Sequence, residues 1–290
     1  MLGKVLRGFH RIPTIDVNIQ AISPGQVTLP KAHVSAQYPT VLGRYGAILR
    51  DRSTSGPFPI WCWVIDHPEG VIVVDVGEVP AVFEPRGVDF GARLLVDRGG
   101  LKLTPCDDFA VQLRDCGFTP EDVDTVVLTH LHFDHAGALE RFPNAEVLVS
   151  RRDWYAHRLL PLGSSIHRWS DSVDPTPITY EDGPFGPFSK SHVVTDAADV
   201  IVVPTPGHTP GHQSVIVRED DRLLFLAGDT TFTERQLLEN EVPGISLDAK
   251  TSRRTMQRIR RLCANEEVIY LPSHDPEGMD RFEGRQLTNA

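Results

Sequence analysis

Residues 126–137 read Val-Val-Leu-Thr-His-Leu-His-Phe-Asp-His-Ala-Gly, a stretch that begins apolar and ends rich in His and Asp. The apolar start is typical of a buried β-strand, and the polar residues lie where the strand ends and a helix begins. Because side chains alternate in extended backbone, His130 and His132 point to one side. Asp134 and His135 fall at the incoming helix and face a second point nearby. Imidazole and carboxylate together suit zinc, manganese, iron or cobalt, so the stretch predicts a metal site.

Three later segments offer the further ligands that a metal site needs. Residues 205–212, Thr-Pro-Gly-His-Thr-Pro-Gly-His, follow a predicted strand and present His208 and His212 on backbone dense in turn residues. Asp229 follows another predicted strand, and His274 follows a third. Loops at strand ends are where protein scaffolds place functional groups. Four such loops with the same chemistry predict one shared centre.

The rest of the chain alternates between strand and helix patterns. Predicted strands cover residues 46–50, 60–66, 71–76, 124–128, 146–150, 200–203, 214–218, 222–227 and 267–271. Predicted helices cover residues 107–116, 136–142, 151–160 and 248–263. Turns are expected at 53–57 and 67–70, and loops or insertions at 79–105 and 161–190. Strand-rich halves with late helices predict two packed sheets with helices outside, in one domain.

Composition narrows the class of protein. The chain has 290 residues, 12 of them His, and a net charge of −10, which argues against nucleic-acid binding because that depends on clustered Lys and Arg. No window approaches the ~18 consecutive apolar residues of a membrane span, and the first residues lack the apolar core of a secretion signal. Four widely spaced cysteines indicate reduced thiols. We expect a cytoplasmic protein without membrane or nucleic-acid partners.

The motifs in this order resemble those of the metallo-β-lactamase superfamily. They are HLHFDH at 130–135, PGHTPGH at 206–212, Gly-Asp at 228–229 and Ser-His-Asp at 273–275. The resemblance spans roughly residues 45–275. It implies an α/β (α+β) fold, an αββα sandwich of two mixed β-sheets flanked by helices, with two metals at one sheet edge. We expect a single hydrolase domain over 1–290, with an N-terminal extension over about 1–40 and a pocket insertion over about 161–190.

The resemblance also assigns roles to residues. It implies that the first metal is held by His130, His132 and His208, the second by Asp134, His135 and His274, and that Asp229 bridges the two. Asp75 matches a family position that orients a metal ligand, and His212 is expected to pack or hydrogen-bond near the site. The remaining histidines have no ligand-like context: His10, His33, His67, His157, His167 and His192.

The implied chemistry is hydrolysis of an ester-like bond. Two divalent ions, zinc first with manganese, iron or cobalt as alternatives, lie ~3.5–4 Å apart in such sites and lower the pKa of a shared water. A hydroxide bridging the metals attacks the carbonyl, and Asp134 carries a proton to the leaving oxygen.

Several branches of the superfamily fit poorly. β-Lactamases commonly place a Cys on the second metal, and no such Cys is found here. Glyoxalase II enzymes add a C-terminal helical domain, for which few residues follow His274, and RNA-processing members are basic, whereas this chain has a net charge of −10. Flavodiiron proteins replace the second His by Glu, whereas His132 is intact here. The N-acyl-homoserine lactone lactonases, the quorum-quenching branch, resemble the chain at residues 131–137, 210–214 and 241–243. A lactone or related ester is therefore the expected small-molecule substrate. The sequence does not determine the oligomeric state, and a homodimer is one of the options.

One position departs from the lactonase pattern. These lactonases usually carry a Tyr three residues after the bridging Asp, and this chain has Phe232. Either Tyr155 or Tyr180 supplies the missing hydroxyl, or the substrate differs. Phe232 and Tyr155 are expected to contact the substrate, with an acyl chain along the aromatic residues between 155 and 188. The alternatives are a hydrolase for a thioester, aryl ester or organophosphate, and a metal-stabilised binding module without catalysis.

Overall fold

A computed structural model describes residues 17–35, 38, 40–84, 87–97, 100–159 and 163–290. The strands in chain order are β1 (Asn18–Ile22), β2 (Gln26–Pro30), β3 (Thr54–Pro59), β4 (Cys62–His67), β5 (Gly70–Val74), β6 (Leu101–Lys102), β7 (Val123–Val127), β8 (Glu146–Ser150), β9 (Thr176–Ile178), β10 (His192–Val193), β11 (Val200–Pro204), β12 (Gln213–Glu219), β13 (Arg222–Gly228) and β14 (Glu267–Pro272).

The helices are mostly short and connect the strands. In chain order they are α1 (Lys31–Val34), α2 (Val41–Arg50), α3 (Phe90–Asp97), α4 (Phe109–Asp115), α5 (Phe133–Ala136), α6 (Arg151–Leu159), α7 (Ile166–Trp169), α8 (Glu234–Glu239), α9 (Ala249–Cys263) and α10 (Gly278–Glu283). None of those described is long and apolar enough to cross a membrane.

Two large sheets form the centre of the structure. One has the strand order β1-β4-β5-β7-β8-β9 and the other β10-β11-β12-β13-β14, while β3-β2-β6 make a small third sheet. Valine, leucine and isoleucine side chains from the facing sides of both large sheets form a shared buried layer, which includes Ile65, Val127, Val202 and Leu224. Because β-branched and aliphatic side chains pack well on pleated surfaces, these residues join the sheets face to face.

Helices cover the outer faces. On the first sheet α4 packs Phe109 and Leu113 into a core shared with β5 and β7. On the second sheet α9 packs Met256 and Ile259, and its N-cap Asp248 accepts hydrogen bonds from two backbone N–H groups. The predicted two-sheet sandwich flanked by helices is confirmed.

Strand directions place the motif-bearing loops at one edge. β5 and β7 run parallel, as do β13 and β14, so each pair ends on the same side. β11 and β12 are antiparallel and pair Pro204 with Gln213, so β11 ends where β12 begins. β12 and β13 are also antiparallel, which brings the end of β13 to the same edge. The loops after β5, β7, β11, β13 and β14 therefore meet there.

Two short predictions near the N-terminus are wrong. Residues 46–50, predicted as a strand, form the second half of α2. This helix begins after Thr40, whose Oγ1 accepts a hydrogen bond from Gly43 N at 3.1 Å. Residues 53–57, predicted as a turn, belong mostly to β3 because tertiary pairing with β2 overrides the local Gly-Pro signal. β3 is an edge strand, where Pro57 costs no ladder hydrogen bond.

The two predicted loops also contain secondary structure. Residues 79–105 include α3 and β6. Val88, Ala92 and Val96 are buried at helical spacing, but the many Gly and charged residues around them made this pattern hard to recognise in the sequence. Of residues 161–190, 161–162 lie outside the described residues; the remainder contains α7 and β9, which pairs with β8. Three of its aromatic side chains are buried in hydrophobic cores: Trp169, Phe185 and Phe188.

The expected N-terminal extension is partly built into the fold. Residues 1–16 lie outside the described part of the chain, but β1 pairs with β4 over five residues and extends the first sheet. β2 is the central strand of the small sheet. The segment from 17 to 35 is therefore integral to the described structure.

Truncating the layer between the sheets should destabilise the fold strongly. Leu224 is 0% exposed in this layer, whereas Leu42 on α2 is 85% exposed. We expect Leu224→Ala to lower the free energy of unfolding by about 2–5 kcal/mol through lost contacts and a cavity. Leu42→Ala is the matched control and should change it by less than about 0.5 kcal/mol. Urea unfolding of both variants at equal metal loading measures the difference, and equal losses would contradict the assignment of this layer as core.

Candidate metal centre

Three imidazoles converge on one point at the sheet edge. His130 Nε2 lies 3.0 Å from His132 Nδ1, and His208 Nε2 lies 3.0 Å from the same atom. His130 and His132 follow β7, whereas His208 follows β11 on the other sheet, so the point lies between the two sheets. With Asp229 these residues form a group whose ligand atoms lie within 4.8 Å of one another.

A second group lies beside the first. It contains Asp134 and His135 from α5 and His274 after β14, again with ligand atoms within 4.8 Å. His274 Nε2 lies 3.5 Å from Asp134 Oδ2. All three side chains are buried, so their polar atoms have little access to water.

The Asp229 carboxylate faces both groups. Its Oδ2 lies 3.4 Å from His208 Nε2 and 4.0 Å from His130 Nε2. Its Oδ1 lies 3.3 Å from both His135 Nε2 and His274 Nε2. The structure therefore brings together the seven side chains predicted as ligands, with the predicted bridging residue between them.

Hydrogen bonds behind the site fix which ring nitrogen of three histidines faces it. His135 Nδ1 lies 2.8 Å from Asp75 Oδ2, and His274 Nδ1 lies 2.8 Å from the Pro59 carbonyl. Each Nδ1 donates its proton to an oxygen acceptor, so Nε2 is the ring nitrogen that faces the centre.

His130 is oriented through Thr129. The Thr129 hydroxyl donates to Asp75 Oδ2 at 2.8 Å, so it accepts from His130 Nδ1 at 3.1 Å. Asp75 Oδ1 accepts from Thr129 N at 2.8 Å. One carboxylate thus orients His135 directly and His130 through the hydroxyl. Thr129 directly precedes the motif, but nothing in the sequence alone indicated its role.

His212 holds the backbone of Asp229. Its Nε2 accepts from Asp229 N at 3.0 Å, and its Nδ1 lies 2.9 Å from Thr205 Oγ1. Since Nε2 is occupied by the amide, the lone pair is not available to a cation. Gly228 has φ 57°, and a Cβ there would lie 2.7 Å from His212 Nε2, so this close approach requires glycine.

The histidines of the two groups differ in the direction in which their surroundings shift the pKa. Burial and neighbouring imidazoles hold the pKa of His130 well below its usual range, and burial lowers that of His208 to about 4. Burial opposes charge on His135 as well, but Asp229 and Asp75 outweigh it and raise its pKa well above the usual range. Burial also disfavours the Asp229 carboxylate, yet His274 and His135 hold its pKa well below normal. Asp229 thus remains ionised and attracts positive charge.

The arrangement fits divalent cations. Within the described part of the chain, His135 Nε2 and Asp229 Oδ1 are buried and have no hydrogen-bond partner, although leaving buried polar atoms unpaired costs stability. Five imidazoles and two carboxylates are the nitrogen and oxygen donors that zinc and related metals prefer. A cation between the converging atoms would satisfy them, which is the expected reason for their arrangement.

The structure places the residues that were predicted to contact the substrate in different surroundings. Phe232 is buried, and its ring lies 5.3 Å from that of His274. The structure does not bring Tyr155 to the site: it is 53% exposed, on the side of α6 opposite the buried Asp153 and His157. The Tyr180 hydroxyl lies 2.7 Å from Gln213 Oε1 and is engaged there.

His33 lies near the centre although the sequence gave it no role. Its ring centroid is 6.1 Å from that of Phe232. Burial and the field of His208 lower its pKa to about 3, so the imidazole is neutral. It comes from α1, far from every motif, and only the folding of the N-terminal segment onto the second sheet's loops brings it here.

A largely buried contact between Arg168 and Glu78 supports the loop that follows the second ligand group. Arg168 pairs with Glu78, and the Arg168 guanidinium also donates to the Gly137 carbonyl at 2.5 Å. A Cβ on Gly137 would lie 2.3 Å from the Glu78 carboxyl group, so this packing requires glycine. Burial raises the pKa of Glu78 to about 8. Sequence reasoning missed both charged residues.

Comparison with known proteins agrees with this geometry. The family model of the metallo-beta-lactamase superfamily matches residues 55–274. The chain is similar to an N-acyl homoserine lactonase from a Bacillus species, with 29% identity over 224 residues that cover 76% of this chain and 82% of that protein. It is also similar to the N-acyl homoserine lactonase AttM of Agrobacterium fabrum, with 30% identity over 235 residues, 78% of this chain and 85% of that protein.

Solved structures share the fold. An N-acyl homoserine lactone hydrolase with N-hexanoyl-L-homoserine at its catalytic metal centre has a TM-score of 0.72 and 24% identity, covering 92% of this chain and 96% of that one. AidC, a dizinc quorum-quenching lactonase, has a TM-score of 0.63 and 17% identity, covering 93% and 91%. At these identities the structures show the fold alone. The family match and the curated relatives confirm the resemblance, and the chain belongs to the metallo-β-lactamase superfamily of metal-dependent hydrolases.

Proposed function

We propose that this protein is a lactonase that hydrolyses the ring ester of N-acyl-homoserine lactones. The observation that carries the proposal is the pair of ligand groups with the Asp229 carboxylate between them. The similar curated proteins, matched over 76% and 78% of this chain, are named as N-acyl homoserine lactonases. This similarity supports the same substrate class here.

The proposal includes two divalent cations, with zinc as the first candidate and manganese, iron or cobalt as alternatives. The first would be held by His130, His132, His208 and Asp229, and the second by Asp134, His135, His274 and Asp229. Asp75 would orient His135, and His212 would hold the backbone of Asp229, as their hydrogen bonds indicate.

When bound, the cations supply positive charge that polarises the lactone carbonyl and lowers the pKa of water. Asp134 accepts a proton from the attacking water and passes it to the ring oxygen. A bond forms between the water oxygen and the carbonyl carbon, the bond from that carbon to the ring oxygen breaks, and the ring oxygen becomes a hydroxyl.

Phe232 would provide an apolar wall beside this reaction. Its ring packs against Phe58 at 6.3 Å and against His274 at 5.3 Å. The side chain excludes water next to a ligand of the second cation, and it donates no hydrogen bond to the substrate.

A substrate panel tests the proposal. Metal-loaded protein is assayed on acyl-homoserine lactones with short, medium and long acyl chains, alongside thioesters, aryl esters and an organophosphate. We expect ring opening, detected as acid release and as the addition of one water in the mass spectrum, with kcat/KM above about 10⁴ M⁻¹s⁻¹ for the preferred chain.

Two outcomes would overturn the assignment. One is the absence of ring opening at every chain length in metal-loaded protein. The other is a preference for one of the non-lactone substrates by more than about 10³-fold in kcat/KM, which corresponds to about 4 kcal/mol of transition-state stabilisation.

We also propose a cytoplasmic location. The four cysteines, Cys62, Cys106, Cys116 and Cys263, all carry free thiols. Free thiols are typical of reducing compartments, since oxidising ones favour disulfides.

A further inference from the structure

His33 is held beside the metal centre by backbone contacts. It lies on α1, where its carbonyl accepts from Ile245 N at 3.0 Å and the next carbonyl, that of Val34, accepts from Gly244 N at 3.3 Å. These bonds attach α1 to the loop between α8 and α9. The position of His33 is thus fixed by the main chain rather than by a flexible side-chain contact.

One glutamine fixes His33 relative to Phe232. Gln236 Oε1 accepts from Phe232 N at 2.8 Å, and Gln236 Nε2 donates to the Val34 carbonyl at 2.9 Å. Gln236 is buried; its bond to Phe232 N is shielded from water, and its bond to the Val34 carbonyl is partly shielded. The backbones of Phe232 and of α1 are therefore joined through a single side chain, and the imidazole is placed next to the phenyl ring that packs on His274.

The His33 imidazole has a ring contact with Phe232 but no hydrogen-bond partner in the described part of the chain. Among the residues that the structure describes, no group hydrogen-bonds to its ring, and it belongs to neither ligand group. Its side chain keeps some accessible surface, so its ring nitrogens can meet a ligand, although the surrounding protein atoms desolvate the imidazole. A neutral imidazole always has one N–H donor and one acceptor nitrogen. A polar side chain whose backbone is held beside a reaction centre, and whose ring has no hydrogen-bond partner among the described residues, is suited to a bound molecule.

We propose that His33 is a substrate-binding residue that donates a hydrogen bond from its imidazole to an oxygen of the lactone. This inference rests on the proposed function. Phe232 offers only an apolar surface on this side of the centre, so the imidazole provides the polar contact that orients the substrate. The bond strengthens as negative charge develops on the oxygen, since hydrogen bonds to charged groups are the stronger ones.

Replacement of the imidazole tests the role. His33→Phe keeps a flat ring without a donor, and we expect kcat/KM for the preferred acyl-homoserine lactone to fall about 10- to 100-fold. His33→Gln keeps an N–H donor and should remain within about fivefold of the wild type. His33→Leu repeats the loss without added bulk. His192→Phe is the matched control, because His192 lies on β10 outside both ligand groups and its imidazole pairs with Asp182, and it should leave kcat/KM unchanged.

Metal content and melting temperature of each variant are measured with the kinetics. Wild-type kcat/KM in His33→Phe and His33→Leu would overturn the inference, and so would equal losses in His33→Gln or loss of bound metal. A wild type that opens no lactone contradicts the proposed function instead. If the wild type opens lactones and replacement of His33 does not change kcat/KM, only this inference is contradicted.

Discussion

His132→Ala should abolish lactone opening, with a fall in kcat/KM of more than about 10³-fold. His132 Nδ1 is the atom on which His130 Nε2 and His208 Nε2 both converge at 3.0 Å. Removal of this ring takes one donor from the first ligand group and opens the space that the other two define. Ring opening and elemental analysis after dialysis measure the effect, and the variant should lose the metal of the first group.

The matched control is His192→Ala, at a partly exposed histidine outside both ligand groups. It should keep full activity and metal content. If His132→Ala retained both metals and more than about a tenth of the wild-type kcat/KM, the assignment of His132 as a ligand would be wrong.

Asp75→Asn should weaken metal binding by about 10- to 100-fold without disturbing the backbone. Asp75 has φ 58°, a left-handed conformation that asparagine tolerates well. The amide can still accept from Thr129 N, but it replaces one acceptor oxygen by an N–H₂ group. His135 Nδ1 then loses its acceptor, so the tautomer that directs Nε2 to the centre is no longer favoured. Competition with a chelator measures the metal affinity.

Asp199→Asn is a control of the same kind. Asp199 is also buried and lies 3.1 Å from a histidine, His67, but this pair sits where β4 ends and β11 begins, at the opposite edge of the sheets. The control should bind metal as the wild type does. Excess metal should restore activity to Asp75→Asn; an affinity equal to that of the wild type would contradict the orienting role of Asp75.

The sequence predicted which side chains converge because four of them lie close together in the chain. His130, His132, Asp134 and His135 lie in a single strand-to-helix junction, and alternation along the strand was enough to indicate two facing groups. The distant ligands were found since parallel and hairpin-connected strands bring their ends to one edge. His33 has no such signal, because its proximity depends on contacts between α1 and residues more than two hundred positions later.

Helix periodicity explains one prediction that the structure does not support. Asp153 and His157 are four residues apart and both buried, so Tyr155 between them faces the other side of α6. Once the helix was predicted, the sequence was enough to place Tyr155 on the opposite side from Asp153 and His157. The burial of Phe185 and Phe188 could not be predicted in this way, since it depends on packing against Phe225 and α9.

The two ligand groups draw side chains from both large sheets, with the loop after β7 on one and the loops after β11, β13 and β14 on the other. A cation bound by residues of these loops would link the two sheets at the edge where the loops lie. At a free metal concentration of 1,000 times the dissociation constant, such linkage adds about 4 kcal/mol to the folded state. Cells short of metal would then hold a protein that is both idle and shorter-lived, so its abundance would follow metal supply.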